Sequence, residues 1–303
     1  MPQCVEVVWL TALLVNSATG FIGLPIAQAF VRAGHIVYGQ TRSGEKATKL
    51  AAEEIIPVVC GPTDVNKYMS LIPTLDTIID AMGGTNIKVA GEGLLNTVAI
   101  AASTLRHPTA PRLVYIYTSG TWIHGENRTD AVSDTTPVTS PAELVAWRPA
   151  QEQRVITNPH VNGIVIRPSL LYGRAGSLLA PLFRRAYEGQ VTWHGESGGR
   201  LALVHCDDLA EVYVLAAEKA ALAGGRIFDA SNDVNESTDA FLQRLVEVSG
   251  AAGPYEYVKP TNLFEAMLNT TTILRPYLAR ALLGWHPRKA GLIDHLDIYY
   301  NLI

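Results

Sequence analysis

Short apolar runs alternate with longer amphipathic stretches through the first two-thirds of this chain. Leu10–Asn16 reads as a strand, and Phe21–Ala33 has helical spacing that stops at Gly34. His35–Thr41 is strand-like, Lys46–Glu53 helical, and Pro57–Cys60 and Thr77–Ala81 are further short apolar runs. A long helical stretch over 90–105 leads into the β-branched, tyrosine-rich strand Arg112–Thr118. Glu143–Ile156 has helical period, and Gly163–Arg167 closes the series as a buried strand. Buried apolar runs separated by helices predict an α/β fold: a doubly wound parallel sheet covered on both faces. Beyond Arg167, glycines at 173, 176, 189, 195, 198 and 199 interrupt the pattern, and helices near 208–221 and 238–249 carry most of the regularity. The expected division is therefore a first domain over 1–167 and a smaller mixed lobe over 168–303, with 204–217 packing back on the first domain.

Composition narrows the classes. The chain has 303 residues, 48% apolar and 17% charged, with 24 basic against 28 acidic side chains and a net charge of −4. A core of ordinary size is available, and no basic run offers the counterion-displacing surface that nucleic acid requires. Cys4, Cys60 and Cys206 are too few and too far apart for a disulfide framework or a metal cluster, which suits a reducing compartment. Cys4–Val15 is apolar but carries Glu6 and falls short of the roughly 20 residues a membrane span needs. No basic segment precedes it as a secretory signal would have. It reads as a short leader and a buried strand of a soluble, cytoplasmic protein.

The strongest local signal is Ser17-Ala18-Thr19-Gly20-Phe21-Ile22-Gly23, set between a predicted strand and a predicted helix. Gly20 lets backbone approach a pyrophosphate, Gly23 lets the helix pack closely on the strand, and the helix N-terminus faces the phosphates.

This stretch resembles the fingerprint of short-chain dehydrogenases/reductases, in the extended and atypical branch of NAD-dependent epimerase/dehydratase-like proteins, which usually reads Thr-Gly-Ala-Thr-Gly-Phe-Ile-Gly. Here Asn16-Ser17 stand where the pattern has Thr-Gly. Five further stretches resemble family motifs in order: Gly93–Asn96, Tyr115–Gly120, Arg167–Gly173, Val204–Ala210 and Leu283–Pro287. The resemblance covers nearly the whole chain and implies a Rossmann-type nucleotide-binding domain with a C-terminal substrate lobe. It places Ser17, Thr19, Gly20, Phe21, Ile22 and Gly23 on the cofactor, with Ala81, Met82, Gly83, Thr118, Arg148 and Pro168 as further contacts. Arg148 can equally pair with a carboxylate.

NAD enzymes place an acid on the ribose about 20 residues past the loop. This chain has Gln40-Thr41-Arg42-Ser43 there, with Lys46 a turn later. Arg42 can pair with a 2′-phosphate and Ser43 can donate to it, so the expected cofactor is NADP(H). Asp64 lies near the family's acidic adenine contact, although Pro62 occupies one expected acidic position.

Family members protonate the substrate oxygen with a Tyr activated by a Lys four residues on, beside a Ser or Thr. In this chain one register puts Leu144 and Arg148 at those positions and another puts Trp147 and Gln151; neither retains a phenol. Gly120 falls at the Ser/Thr position, leaving Ser119 and Thr121 as neighbours. Tyr117, His124 and Tyr172 are the remaining candidates for the proton, on segments expected to face the nicotinamide. Asp207 and Asp208, with Glu211 following, read as an N-cap and dipole-favourable acids. Trp122, Trp193, Tyr255 and Tyr257 suit either core packing or an apolar substrate pocket.

The expected function is NADP(H)-dependent oxidoreduction of a small apolar carbonyl or alcohol. The alternatives are a nucleotide-dependent epimerase or isomerase and a non-catalytic NADP(H) sensor. Partners are a small-molecule substrate and, by the resemblance, a second copy in a homodimer, with neither nucleic acid nor membrane.

Overall fold

The computed structural model describes residues 11–301 apart from Thr85 and Gly176. Leu10, Cys4 with the rest of the expected leader, and Gly176 lie outside the described residues. The chain runs β1 (Ala12–Asn16), α1 (Gly23–Arg32), β2 (Ile36–Thr41), α2 (Gly44–Ala52), β3 (Ile56–Val59), β4 (Thr77–Asp80), α3 (Ile87–Leu105) and β5 (Leu113–Thr118). It continues through β6 (Asn127–Val132), α4 (Arg148–Ile156), β7 (Val161–Pro168), β8 (Leu170–Tyr172), α5 (Ala180–Tyr187), β9 (Thr192–His194), β10 (Arg200–Leu201) and β11 (Leu203–His205). After α6 (Cys206–Glu218) and α7 (Ala220–Ala223) come β12 (Ile227–Ala230), β13 (Glu236–Ser237), α8 (Thr238–Ser249), β14 (Glu256–Val258), α9 (Leu263–Leu268), β15 (Thr272–Leu274) and α10 (Leu296–Tyr300).

Seven strands form one mostly parallel sheet in the order β12-β7-β5-β4-β1-β2-β3. From β1 the chain builds outward through β2 and β3, then returns to place β4 on the other side of β1. That reversal opens a crevice at the carboxyl ends of β1 and β4, where ligands of such sheets bind. Leu13, Leu14 and Val15 of β1 are fully buried, and α1 covers the sheet with Ile26, Ala27 and Phe30. Gly34, at φ +90°, ends that helix where the sequence placed its stop.

Two expectations change. The predicted helix over 143–156 is a 3-10 turn, Glu143–Val145, followed by α4 from Arg148. Pro149 has no N–H to give Val145, so it is tolerated only in a helix's first turn. The sheet also does not close at β7: Ile227–Ala230 joins it, parallel to β7. Asp229 in the middle of that run hid it from the hydrophobic pattern.

By compactness the described chain forms two units. One runs to Tyr117 and includes Arg154–Ile164 and Tyr213–Arg226. The other takes Thr118–Gln153, Val165–Val212 and the chain from Ile227. The second holds a core of Phe183, Trp193, Phe241, Leu242, Leu292 and their neighbours. Among the described residues no helix is long and apolar enough to cross a membrane.

Candidate active site

In the first unit, the turn after β1 is held by the end of β2. Ser17 sits at φ +57°, the left-handed region that its glycine-bearing counterpart adopts without strain. Its N–H donates to Gln40 Oε1 at 2.9 Å, and Ala18 N–H donates to the Gln40 carbonyl at 2.9 Å. Gln40 is buried, and its amide nitrogen in turn donates to the Cys60 carbonyl. The Ser17 carbonyl accepts from Gly20 N–H at 2.9 Å, which closes the turn and aims Phe21 and Ile22 along the start of α1. That helix has no acid in its first turn to compete for the positive end of its dipole.

A cleft of about 580 Å³ lies against this turn. Ser17, Thr19, Gly20, Phe21 and Ile22 form one wall; Gln40, Thr41, Arg42 and Lys46 form another; Ala81, Met82 and Gly83 form the floor from the end of β4. Nine of the sequence-predicted cofactor residues thus share one cavity. Gly23 instead packs beneath it against the Ser17 carbonyl. Ser43 caps α2, its hydroxyl accepting from Lys46 N–H at 3.3 Å, and does not line the cleft. Pro62 lines it and Asp64 does not.

Among the described residues no carboxylate lines this cleft, and Arg42 and Lys46 have no ion-pair partner. Under the floor lies Asp80, which the sequence reading missed. One carboxylate oxygen accepts from Met82 N–H at 3.1 Å and the other from the Tyr115 hydroxyl at 3.1 Å, fixing the direction of the 81–83 backbone. Burial first, then Asp80, pushes the Tyr115 phenol well up. Tyr117 belongs to this same unit and is buried on β5.

The remaining candidates lie in the second unit, around the ends of β5 and β7. Ser119 N–H donates to the Ile166 carbonyl at 2.8 Å, while its buried hydroxyl has no partner among the described residues. The Thr118 carbonyl accepts from Arg148 Nη1 at 3.0 Å, and the Arg148 guanidinium lies over the Trp147 ring. A Cβ on Gly120 would stand 3.8 Å from the Pro168 carbonyl, so these two segments run side by side. Thr121 lines a small cavity with Trp122 and Leu170.

His124 is buried. Its Nε2 is 2.8 Å from Asp229 Oδ2, and its Nδ1 is enclosed without a partner among the described residues. Asp229 also faces Arg167 Nη1 at 3.5 Å, and Arg167 holds Glu152 through Nε at 3.0 Å and Nη2 at 2.6 Å. All four side chains are at most 4% exposed, so this is a buried charge network. Asp134 accepts from Asp229 N–H at 2.7 Å; burial, then the nearby Asp229 charge, raises its carboxyl. The pattern had flagged His124 but not Asp229, 105 residues away.

Tyr172 donates to the Ala290 carbonyl at 2.7 Å and accepts from Asn232 Nδ2 at 3.0 Å. Its ring packs edge-on against His205 and Tyr299, and burial drives its phenol up. Asp207 and Asp208 lie in the first turn of α6, as expected of dipole-favourable acids. The cap itself is His205, whose Nδ1 accepts from Asp207 N–H at 3.1 Å. His205, Cys206 and Asp207 bring possible metal ligands within 4.8 Å of one another. Asp207 already pairs with Arg174 and Lys289, and burial pushes the Cys206 thiol up to about 12. Of the aromatic candidates, Trp193 is in the core, and Tyr255 and Tyr257 both donate to Asp239 Oδ1.

The sequence model of the NAD dependent epimerase/dehydratase family matches residues 13–230. An uncharacterised protein of Schizosaccharomyces pombe is 22% identical over 300 residues, 95% of this chain and 99% of that protein. Among solved structures, dTDP-glucose 4,6-dehydratase from Bacillus anthracis, in complex with NAD, superposes with a TM-score of 0.77 at 13% identity, covering 96% of each chain. UDP-glucose 4-epimerase from Thermotoga maritima, with UDP-glucose, gives 0.74 at 16% identity, covering 96% of this chain and 98% of that one. At these identities the two structures speak for a shared fold.

Proposed function

Because the chain belongs to the NAD dependent epimerase/dehydratase family, we propose that it is an NADP(H)-dependent oxidoreductase acting on a small apolar carbonyl or alcohol. The observation that carries the cofactor choice is the cleft beside the Ser17–Gly23 turn, which presents Arg42 and Lys46 and, among the described residues, no carboxylate. An acid would repel a 2′-phosphate; an unpaired guanidinium attracts it. The cavity also suits the rest of a dinucleotide. A Cβ on Gly83 would meet nothing within 4 Å, so backbone is open to the ligand, and the Gly20–Ile22 segment lies at the positive end of α1.

When bound, the dinucleotide supplies the hydride acceptor or donor at its nicotinamide. The chain's own part is to bind and orient it: the Gly20–Ile22 turn takes the pyrophosphate, Arg42 and Lys46 take the 2′-phosphate, and Ala81–Gly83 line the middle. Carbonyl reduction also needs a proton for the developing alkoxide. With Leu144 and Arg148, or Trp147 and Gln151, at the positions of the missing pair, we assign the oxygen-holding role to the hydroxyls of Ser119 and Thr121. His124 and Tyr172 are engaged elsewhere, by Asp229 and by Ala290 with Asn232. Losing a dedicated general acid costs typically about 10²–10⁴-fold, so turnover is expected to be slow.

The test is equilibrium titration with NADPH, NADP⁺, NADH and NAD⁺, read by tryptophan fluorescence and repeated on Arg42→Ala. A charge-assisted contact of about 1.5–3 kcal/mol corresponds to roughly a 10- to 150-fold preference for the phosphorylated pair, which the substitution should abolish. Binding of none of the four would remove the oxidoreductase reading. Nucleotide retained through purification would favour an epimerase or isomerase; binding without hydride exchange on any substrate would favour a sensor.

A further inference from the structure

The second unit carries a groove of about 440 Å³ between α5, β9 and α9, within the size range of small-molecule sites. Leu178, Leu182, Trp193, Phe264 and Leu268 make its walls apolar. Leu178 and Phe264 stay 42% and 40% exposed, so the groove's mouth is apolar and open. On the α5 side stand Arg184 and Arg185, and among the described residues neither guanidinium has a carboxylate or other acceptor. Their place in the last turn of α5 is favourable to the helix dipole and accounts for Arg184 as a solvated charge. It does not account for Arg185 Nε, which is buried without a partner among the described residues. An enclosed N–H of a cation costs free energy unless an acceptor arrives.

We infer that this groove binds an amphipathic acid, its apolar or aryl body between Trp193, Leu178 and Phe264 and its carboxylate on Arg184 and Arg185. The other polar side chains of the lining are Thr192, His194 and Glu265. Glu265, the one carboxylate among the described lining residues, accepts from Thr261 N–H at 2.6 Å and Thr261 Oγ1 at 2.8 Å, and lies 3.3 Å from His194 Nδ1. A sugar's hydroxyls need both donors and acceptors, and each one enclosed without a partner costs about 1–3 kcal/mol. The inference deepens the proposed function and rests on it only for the ligand's being the substrate; the binding itself is independent of nucleotide.

The experiment uses the full chain without added nucleotide and a matched pair of probes, 4-phenylbutyrate and 4-phenylbutan-1-ol, with UDP-glucose as a third. Affinities are measured by isothermal calorimetry on the native protein, on Arg184→Gln/Arg185→Gln and on Leu178→Asp, with circular dichroism and NADPH affinity as folding controls. The acid should bind at least about tenfold more tightly than the alcohol, and the double substitution should erase that difference while NADPH binding is retained. Leu178→Asp should weaken the acid by a comparable factor. Equal binding of acid and alcohol, an acid preference that survives in the double variant, or a preference for UDP-glucose would each overturn the inference. Loss of NADPH binding by the native protein would overturn the cofactor reading and leave this one standing.

Discussion

The Cα of Gly23 packs directly against the Ser17 carbonyl: a Cβ there would overlap the carbonyl oxygen and lie 2.8 Å from the carbonyl carbon. The same oxygen accepts from Gly20 N–H, so it cannot retreat without opening the turn. Gly23→Ala should therefore displace the start of α1 and weaken dinucleotide binding by tenfold or more. Gly93, in α3, has open space where its Cβ would be. Gly93→Ala should leave binding unchanged and stabilise the protein by up to about 1 kcal/mol through helix propensity. Titration and urea unfolding of both variants check this, and equal effects would remove the packing argument.

Ser17 itself gives the opposite prediction. A serine at φ +57° carries strain of about 1–2 kcal/mol, partly offset because glycine has more unfolded-state freedom to lose. Ser17→Gly preserves the N–H donated to Gln40. It should raise stability by about 0.5–1 kcal/mol and leave dinucleotide affinity equal or better, measured by urea unfolding and fluorescence titration. A destabilised Ser17→Gly would mean the hydroxyl makes a contact that outweighs the strain.

What could be read from the sequence follows how local each feature is. The glycine turn, its flanking strand and helix, and the basic replacement at Arg42 sit within about thirty residues, and each was legible from spacing. Ser17 was visible as a departure; that it keeps the left-handed turn, braced by Gln40, needed the neighbouring strand in place. Asp80 and Asp229 were illegible for a different reason. Each is a carboxylate in a buried strand, where it breaks the apolar pattern, and the side chains it holds lie 35 to 105 residues away. Pro149 was legible in kind, yet the helical period over 143–156 outweighed it in the reading.

The Arg167 network should be the most fragile polar feature of the second unit. Arg167→Met leaves Glu152 and Asp229 buried without their shared cation, whereas Glu152→Gln leaves Arg167 its contact with Asp229. Removing one partner of a buried pair costs about 3–5 kcal/mol, so Arg167→Met should lose at least that and Glu152→Gln less. The double variant Glu152→Met/Arg167→Met should lose less than the sum of its singles, because the two residues share one interaction. Strict additivity in urea unfolding would show that they do not act as a pair.

Glu236 supplies a prediction for pH. Its carboxylate oxygens accept from Leu292 N–H at 2.7 Å and Ile293 N–H at 2.9 Å, which favour the charged form. Burial outweighs them and raises its pKa above the ordinary 4.5. The folded protein therefore holds this proton to higher pH than the unfolded chain does. Below 4.5 both states are protonated and the contribution is full; as pH climbs through the raised folded value the unfolded chain ionises first, and stability is lost. Asp134 adds a loss of the same sign above 3.8. Glu236→Gln removes one titrating group and also turns an NH₂ toward one of the two backbone donors. It should lower stability at every pH while flattening the decline from pH 4.5 upward. Urea unfolding of both proteins at several pH values between 4 and 7 reads the two effects separately. An offset with an unchanged slope would show that Glu236 titrates alike in the folded and unfolded chain, and that burial does not raise its pKa.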